Sequence, residues 1–427
     1  MSNESPTRAL GRLPSARLVG LLVLAQICSV LGSAAFASTL VKLATLWHLG
    51  STGAGWISSA YFLGYTLGVP LLVALTDRID SRVIYLASCS IGALAGSGFA
   101  LLAHGFWSAF ALQALAGLAT GGTYMPGLRL LTSRLSGRTR IRAVPYYTTA
   151  FAVGTSLSFL LSGWMAERYG WQAAFLAGGA GAGMSAALAM IATWGIPVQA
   201  DLSVVPDRHP LDFRPVLRNR KAIAYVLAYG GHCWELFAFR AWLPAYVLFA
   251  WRRFHGASPG LIVSRWSMAI VLIGVPASIL GAESANTAGR NRLIRRFEFA
   301  SLALCMLSVI FANLSFTLAI AALFAYNVAI AADSGALTAG TVAAALAGEQ
   351  GVTLALYSLI GFIGAGIGPL AVGSVLDLGG GFSNAHAWYL GFAAMGTGSA
   401  LAALAITFVA TPSPPKPAWN AETIAKQ

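Results

Sequence analysis

GVTLALYSLIGFIGAGIGPLAVGSVL, residues 351–376, contains no Asp, Glu, Lys, Arg or His. A helix rises 1.5 Å per residue and the hydrocarbon core of a bilayer is about 30 Å thick, so about 20 apolar residues cross it once. The stretch is long enough to span and is unbroken, unlike the alternating segments of about ten residues that build a membrane β-barrel. Comparable runs lie at 17–41, 54–75, 83–103, 107–128, 144–164, 172–195, 221–249, 261–281, 297–313, 316–336 and 386–410. The expected fold class is therefore an all-α polytopic membrane protein with twelve transmembrane helices. Composition agrees: 57% hydrophobic and 10% charged residues, with mean hydropathy +0.71, against about 25% charged in soluble domains.

A net charge of +13 would suit nucleic acid, but its placement says otherwise. With the amino terminus in the cytoplasm, three Lys/Arg precede the first span, two follow the second, and five follow each of the fourth and sixth. Four more follow the eighth and two lie in the tail, which puts 21 of the 27 on one side. Lys42, Arg168, Arg252 and Arg253 fall on the other side, and Arg240 and Arg265 fall within spans. This is the positive-inside pattern, and it predicts both termini in the cytoplasm of a bacterial inner membrane, with the lipid bilayer as partner and no nucleic acid. The run after Arg8 and Arg12 is too long for a signal-peptide core and is expected to be a retained first helix. Cys28, Cys89, Cys233 and Cys305 lie inside spans with no paired motif, so no disulfide framework or zinc site is expected.

Residues 196–220, IPVQADLSVVPDRHPLDFRPVLRNR, form a polar, basic, Pro-containing break between the sixth and seventh spans. The predicted organisation is a tail at 1–16, six helices at 17–195, a linker at 196–220, six helices at 221–410 and a tail at 411–427. Tyr147, Gly154, Gly163, Glu167 and Gly170 recur as Tyr357, Gly364, Gly373, Asp377 and Gly380, each 210 residues on, as an internal duplication would leave them.

VALTDRIDSR, residues 73–82, resembles the loop signature GxLaDRxGRR of the major facilitator superfamily through Asp77, Arg78 and Arg82; Val73, Asp80 and Ser81 depart from it. A second copy, AESANTAGRNR at 282–292, keeps Gly289, Arg290 and Arg292 but has Asn286 in place of the acid. The resemblance implies two six-helix bundles and a gating role for Asp77, Arg78, Arg82, Asn286, Arg290 and Arg292, with the Asp meeting a helix amino terminus and the Arg residues pairing across the bundles. The alternative for the arginines is topology alone. GTSLSFLLSG at 154–163 only loosely resembles the Gly-Pro motif of proton-coupled drug antiporters, and the closer GAGIGPLAVG sits at 364–373. GGAGAGMS at 178–185 lacks the GK[ST] of a nucleotide loop and reads as close helix packing.

Charge inside a bilayer costs about 3 kcal/mol and needs a partner or a task. YGGHCWELFAFRAWLPAY, residues 229–246, holds His232, Glu235 and Arg240. At 100° per residue His232, Glu235, Phe239 and Trp242 form one stripe, while Arg240 points about 140° from Glu235. Glu235, assisted by His232, is the candidate proton carrier and Arg240 the candidate contact for an anionic substrate; the structural alternative is interhelical hydrogen bonding for all three. In the superfamily the first, fourth, seventh and tenth helices line the central cavity, which by resemblance adds Gln26, Gln113, Tyr124, Phe239, Trp242, Tyr326 and Asn327 as substrate-binding candidates. Asp333 is expected at the mouth of the tenth helix as a gate residue, with Arg129 as its partner across the bundles.

HCWEL and ADSGALTAG are also similar to segments of cyanate-permease-like carriers, which hints at a small organic or inorganic anion. The leading expectation is a monomeric secondary transporter of a small-molecule substrate, without cofactor, proton-coupled and working by alternating access. A proton-driven exporter of amphipathic compounds is the alternative within the class. An enzyme or a receptor lacks its usual marks here: no nucleophile with a base, no metal constellation and no signalling domain.

Overall fold

In the computed structural model, the described residues are 15–196, 213–256, 259–346 and 348–409. The predicted tails, apart from residues 15 and 16, most of the linker and the Asn286 side chain lie outside them. The first six spans are α1 (Ser15–Ser29) with α2 (Ala35–Leu46), α3 (Ser51–Leu75), α4 (Ser81–Leu102), α5 (Phe106–Thr132), α6 (Gly137–Tyr169) and α7 (Trp171–Ala192). After the short α8 (Arg214–Arg218) come α9 (Arg220–His255), α10 (Ile262–Ala288), α11 (Arg290–Phe311), α12 (Phe316–Ala332) with α13 (Ser334–Ala344), α14 (Gln350–Leu378) and α15 (Ala385–Leu404), the last closed by a π turn at Ala405–Val409. By length and composition eight segments are apolar enough to cross a membrane, and α1 and α2 are shorter apolar helices. With α5, α9 and α11 they give twelve spans in two pseudo-symmetric six-helix bundles.

Two expected helices are broken. The run 17–41 is interrupted at residues 30–34 and resumes as α2. Backbone freed inside a membrane must be bonded again, and Ser158 of α6 does this from both sides: its Oγ donates to Leu31 O at 2.6 Å and accepts from Ala34 N at 2.9 Å. The tenth span breaks at Asp333, which separates α12 from α13 and makes no side-chain cap.

The duplication holds in three dimensions. A Cβ on Gly154 would meet Ile27 of α1 and Val30 just after it, and one on Gly364 would meet Gly230 and Trp234 of α9, so α6 and α14 pack closely on the first helix of their own bundle. Further along, Gly163 faces Ser264 of α10, and Gly373 faces Ser51 and Gly55 of α3, each in the opposite bundle. Gly170 and Gly380 then leave their helices at φ 96° and 97°, a backbone region that favours glycine. The bundles thus meet along α3–α14 and α6–α10. Within the first bundle Gly178 lies so close to Gly32 that its Cβ would be 2.6 Å from that Cα, which accounts for the GGAGAGMS stretch by packing.

Candidate functional site

The stripe on α9 is buried inside the second bundle and does not face the seam between bundles. Trp242 is fully buried, its Nε1 donates to Pro369 O at 3.0 Å, and its ring meets Trp388 edge-on at 6.3 Å. Phe239 packs edge-on against Tyr326 at 5.1 Å. Both residues belong to packing, contrary to their expected substrate role. A 3.6-residue period aligns them on one face but does not say which wall that face meets.

Glu235, also on this face, is 1% exposed, and its Oε1 accepts from Ser301 Oγ at 2.9 Å and Tyr326 hydroxyl at 2.8 Å. The donors come from α11 and α12, so one carboxylate ties three helices together. One turn earlier His232 places Nδ1 2.9 Å from Asp333 Oδ1. Asp333 is 1% exposed and is buried inside the second bundle, where it meets His232 in place of Arg129. Glu298 of α11, 3% exposed, completes a group with His232 and Asp333 whose ligand-type atoms all lie within 4.8 Å of one another.

The expected Arg129–Asp333 pair across the bundles does not form. Arg129 Nη1 instead contacts Asp77 and donates to Thr76 Oγ1 at 2.6 Å, within the first bundle. Asp80, a departure from the loop signature, has the most structured role there. It caps α4 by accepting from Arg82 N at 2.8 Å, and both its oxygens accept from Arg134 Nη2 at 3.1 Å. Arg82 reaches Thr193 O at 3.2 Å and Ile196 O at 3.4 Å, at the carboxyl end of α7, where a cation suits the helix dipole. These bonds brace α3, α4, α5 and α7 of one bundle, so the implied pairing of Arg82 across the bundles is not present. Arg78 and Arg292 are exposed, and Arg290 is half-buried beside Tyr225.

Arg240 lies on the opposite side of α9 from the stripe. Its guanidinium sits 5.6 Å from the Phe237 ring, Nε has no hydrogen-bond partner, and no carboxylate pairs with it among the described residues. Phe237 packs at 4.6 Å on Phe62 of α3, and Tyr65 of α3 packs at 4.0 Å on Phe362 of α14, so Arg240 borders an aromatic seam between bundles.

Gln26, Tyr124 and Asn327 make contacts within their own bundles. Gln26 Oε1 accepts from Tyr147 hydroxyl at 2.5 Å, Tyr124 stacks near Tyr147 at 6.4 Å, and Asn327 Nδ2 donates to Ile270 O at 2.6 Å. Gln113 lines a cavity of about 50 Å³ inside the first bundle with Ser29, Ser33, Tyr61, Thr120 and Thr123. That is room for a few water molecules, and the walls are polar enough to hold them.

Sequence reading missed Glu298, Ser301, Asp80, Arg134 and Asp377 as functional candidates. Glu298 was hidden because it lies near the predicted start of its span, where a charge passes for a loop residue. Asp377 had a signal: it occupies the duplicated position of Glu167.

Comparison with known proteins fits this geometry. A bacterial homologue of the human lysosomal transporter Spinster, in an inward-facing and occupied conformation, superposes with TM-score 0.75 over 93% of this chain and 97% of that one at 15% identity. The nucleoside transporter NupG, in two structures, gives 0.70 over 92–93% of this chain and 98–99% of that one at 14–16% identity. At these identities the likeness is one of fold. Among curated proteins, the niacin transporter NiaP of Acinetobacter baylyi is 28% identical over 142 residues, 33% of this chain and 31% of that protein. The galacturonate transporter of Dickeya chrysanthemi is 26% identical over 164 residues, 38% and 47% respectively. The matched stretches thus span less than half the length of either relative. A family model described as Major Facilitator Superfamily matches residues 22–369, and the chain, a multi-pass membrane protein, belongs to that superfamily.

Proposed function

We propose that the chain is a secondary transporter that carries a small organic anion by alternating access, with a proton on Glu235. The observation that carries the anion is Arg240: a guanidinium within a span, at the aromatic seam between bundles, with no carboxylate partner among the described residues. Because a charge there costs about 3 kcal/mol, its retention without a partner points to one supplied by the solute. Niacin and galacturonate, named for the two relatives, are both carboxylates, which agrees with a guanidinium contact. Glu235 has its own donors in Ser301 and Tyr326, so Arg240 is free of it, and His232 one turn away is held against Asp333.

The bundles close on the face carrying Ser51, Gly163, Ser264 and Asp377, which supports a state open toward the basic loops; in this reading those loops and both termini are cytoplasmic, in an inner membrane, and the protein acts as a monomer. Asp77, Arg78, Arg82, Arg129, Arg290 and Arg292 then steady that opening from within each bundle. An exporter of amphipathic compounds is the second reading, favoured by the Phe62, Tyr65, Phe237 and Phe362 rings at the seam.

The test is proton movement in proteoliposomes, followed with an internal pH dye as small carboxylates, cyanate-like anions and amphipathic cations are added in turn. A response to carboxylates, lost in Arg240→Ala and Glu235→Gln, supports the reading. A response to amphipathic cations alone, unaffected by Arg240→Ala, overturns it in favour of export.

A further inference from the structure

The geometry points to a divalent transition-metal site made by His232, Glu298 and Asp333 inside the second bundle. The three side chains come from α9, from α11 and from the break between α12 and α13, and their ligand-type atoms lie within 4.8 Å of one another. A first-row metal with bonds of about 2.0–2.2 Å brings its ligand atoms to separations of this order. All three residues are at most 3% exposed.

A second observation sets this group apart from an ordinary buried ion pair. Glu298 Oε1 and both oxygens of Asp333 accept no hydrogen bond from any residue outside the group among the described residues; the two carboxyl groups have only each other. His232 Nδ1 and Asp333 Oδ1 approach to 2.9 Å, yet their orientation makes no hydrogen bond. Buried polar atoms left unbonded cost about 1–3 kcal/mol each, more when charged, so the cluster calls for an occupant.

Charge and donor type define that occupant. Two carboxylates and a neutral imidazole carry −2, which a divalent ion balances, and no Lys or Arg pairs with them among the described residues. Mixed imidazole and carboxylate ligation suits Mn²⁺, Fe²⁺, Co²⁺ or Zn²⁺ better than Na⁺ or Mg²⁺, which favour oxygen alone. Glu235 is not a ligand, because Ser301 and Tyr326 already hold it. The ion would pin the break at Asp333 to two neighbouring helices, and this stands whether or not the transport reading is right.

The test uses full-length protein without a histidine tag, purified in detergent and stripped with a chelator. Co²⁺ titration should give ligand-field bands that saturate at one ion per chain, and Mn²⁺ or Zn²⁺ should raise the melting temperature. Glu298→Gln and Asp333→Asn should weaken binding by more than about 100-fold, beyond the 10- to 100-fold of an outer-shell partner. Glu235→Gln should bind as the unaltered chain does, even if its transport is lost. No stoichiometric ion on the unaltered protein, or binding unchanged in Asp333→Asn, overturns the site. If the variants fail to fold, the Co²⁺ spectrum and stoichiometry of the unaltered protein decide alone. Retention of a protonated-carboxyl infrared band at saturating metal in Glu235→Gln, where the Glu235 proton no longer contributes, also overturns it, since the two carboxyl groups would then share a proton.

Discussion

The Asp377 carboxylate accepts the backbone N–H of Ser51 at 2.7 Å and that of Thr52 at 2.8 Å, so the end of α14 in one bundle caps the start of α3 in the other. Its duplicated counterpart Glu167, at the end of α6, lies 3.4 Å from where a Cβ on Gly260 would sit, just ahead of α10. Two acids 210 residues apart therefore meet the amino ends of helices in opposite bundles, where negative charge is favourable. Loss of a cap of this kind costs about 1 kcal/mol, so Asp377→Ala should move the open–closed balance of this face about fivefold toward open. Spin labels at Trp107 and Leu318, exposed residues of opposite bundles on that face, should report a wider separation; an unchanged distance distribution would show that the cap holds nothing shut.

Arg129 and Asp77 form a half-exposed pair, with side-chain exposures of 33% and 46%. Such pairs contribute about 0.2–1 kcal/mol. Each single reversal, Arg129→Asp or Asp77→Arg, should lower the detergent melting temperature, and the double reversal should recover much of the loss. Reversing Arg129 together with Asp333 should recover none. Rescue by the second combination would mean the two bundles do pair through these residues in some state.

Ser158→Ala should destabilise the chain by about 1–3 kcal/mol, since it leaves Ala34 N and Leu31 O unbonded inside the membrane. The measurement is a denaturant titration, with Ser156→Ala as control because Ser156 bonds only within its own helix, to Ala152 O at 2.8 Å.

Tyr326→Phe removes one donor from Glu235 at almost constant volume, and Ser301→Ala removes the other. Each should cost about 1–3 kcal/mol, and the double variant should fall short of the sum because both act on one carboxylate oxygen. Strict additivity in thermal melts would argue against a shared acceptor.

How far the sequence could be read follows the same physics. Span positions were legible because apolar length is a local property, and the duplication was legible because Gly163 and Gly373 and Gly170 and Gly380 keep both identity and spacing, and Glu167 and Asp377 keep charge and spacing. The breaks at residues 30–34 and at Asp333 were not, since hydropathy is blind to a missing backbone bond that Ser158 repairs from another helix. The stripe from His232 to Trp242 was correctly aligned, but its wall was misplaced, because helical periodicity fixes relative angles and leaves the helix free to rotate as a whole. Arg129 went to Asp77 and not to Asp333 because the acid one loop away in its own bundle is nearer than one in the other.

The contact that Asp377 makes reads two peptide groups first, with the Ser51 and Thr52 side chains beside them. The half-buried residue 52 could therefore change in related sequences and keep its peptide bond to the acid, provided it does not become proline, which has no N–H to give, while the buried residue 51 must also stay small. The acid, by contrast, uses one oxygen for each N–H, and an amide has only one oxygen to offer. A constraint that falls mostly on one partner leaves little trace in a search for pairs of positions that vary together, and a structure that shows where the carboxylate points is what reveals the closure.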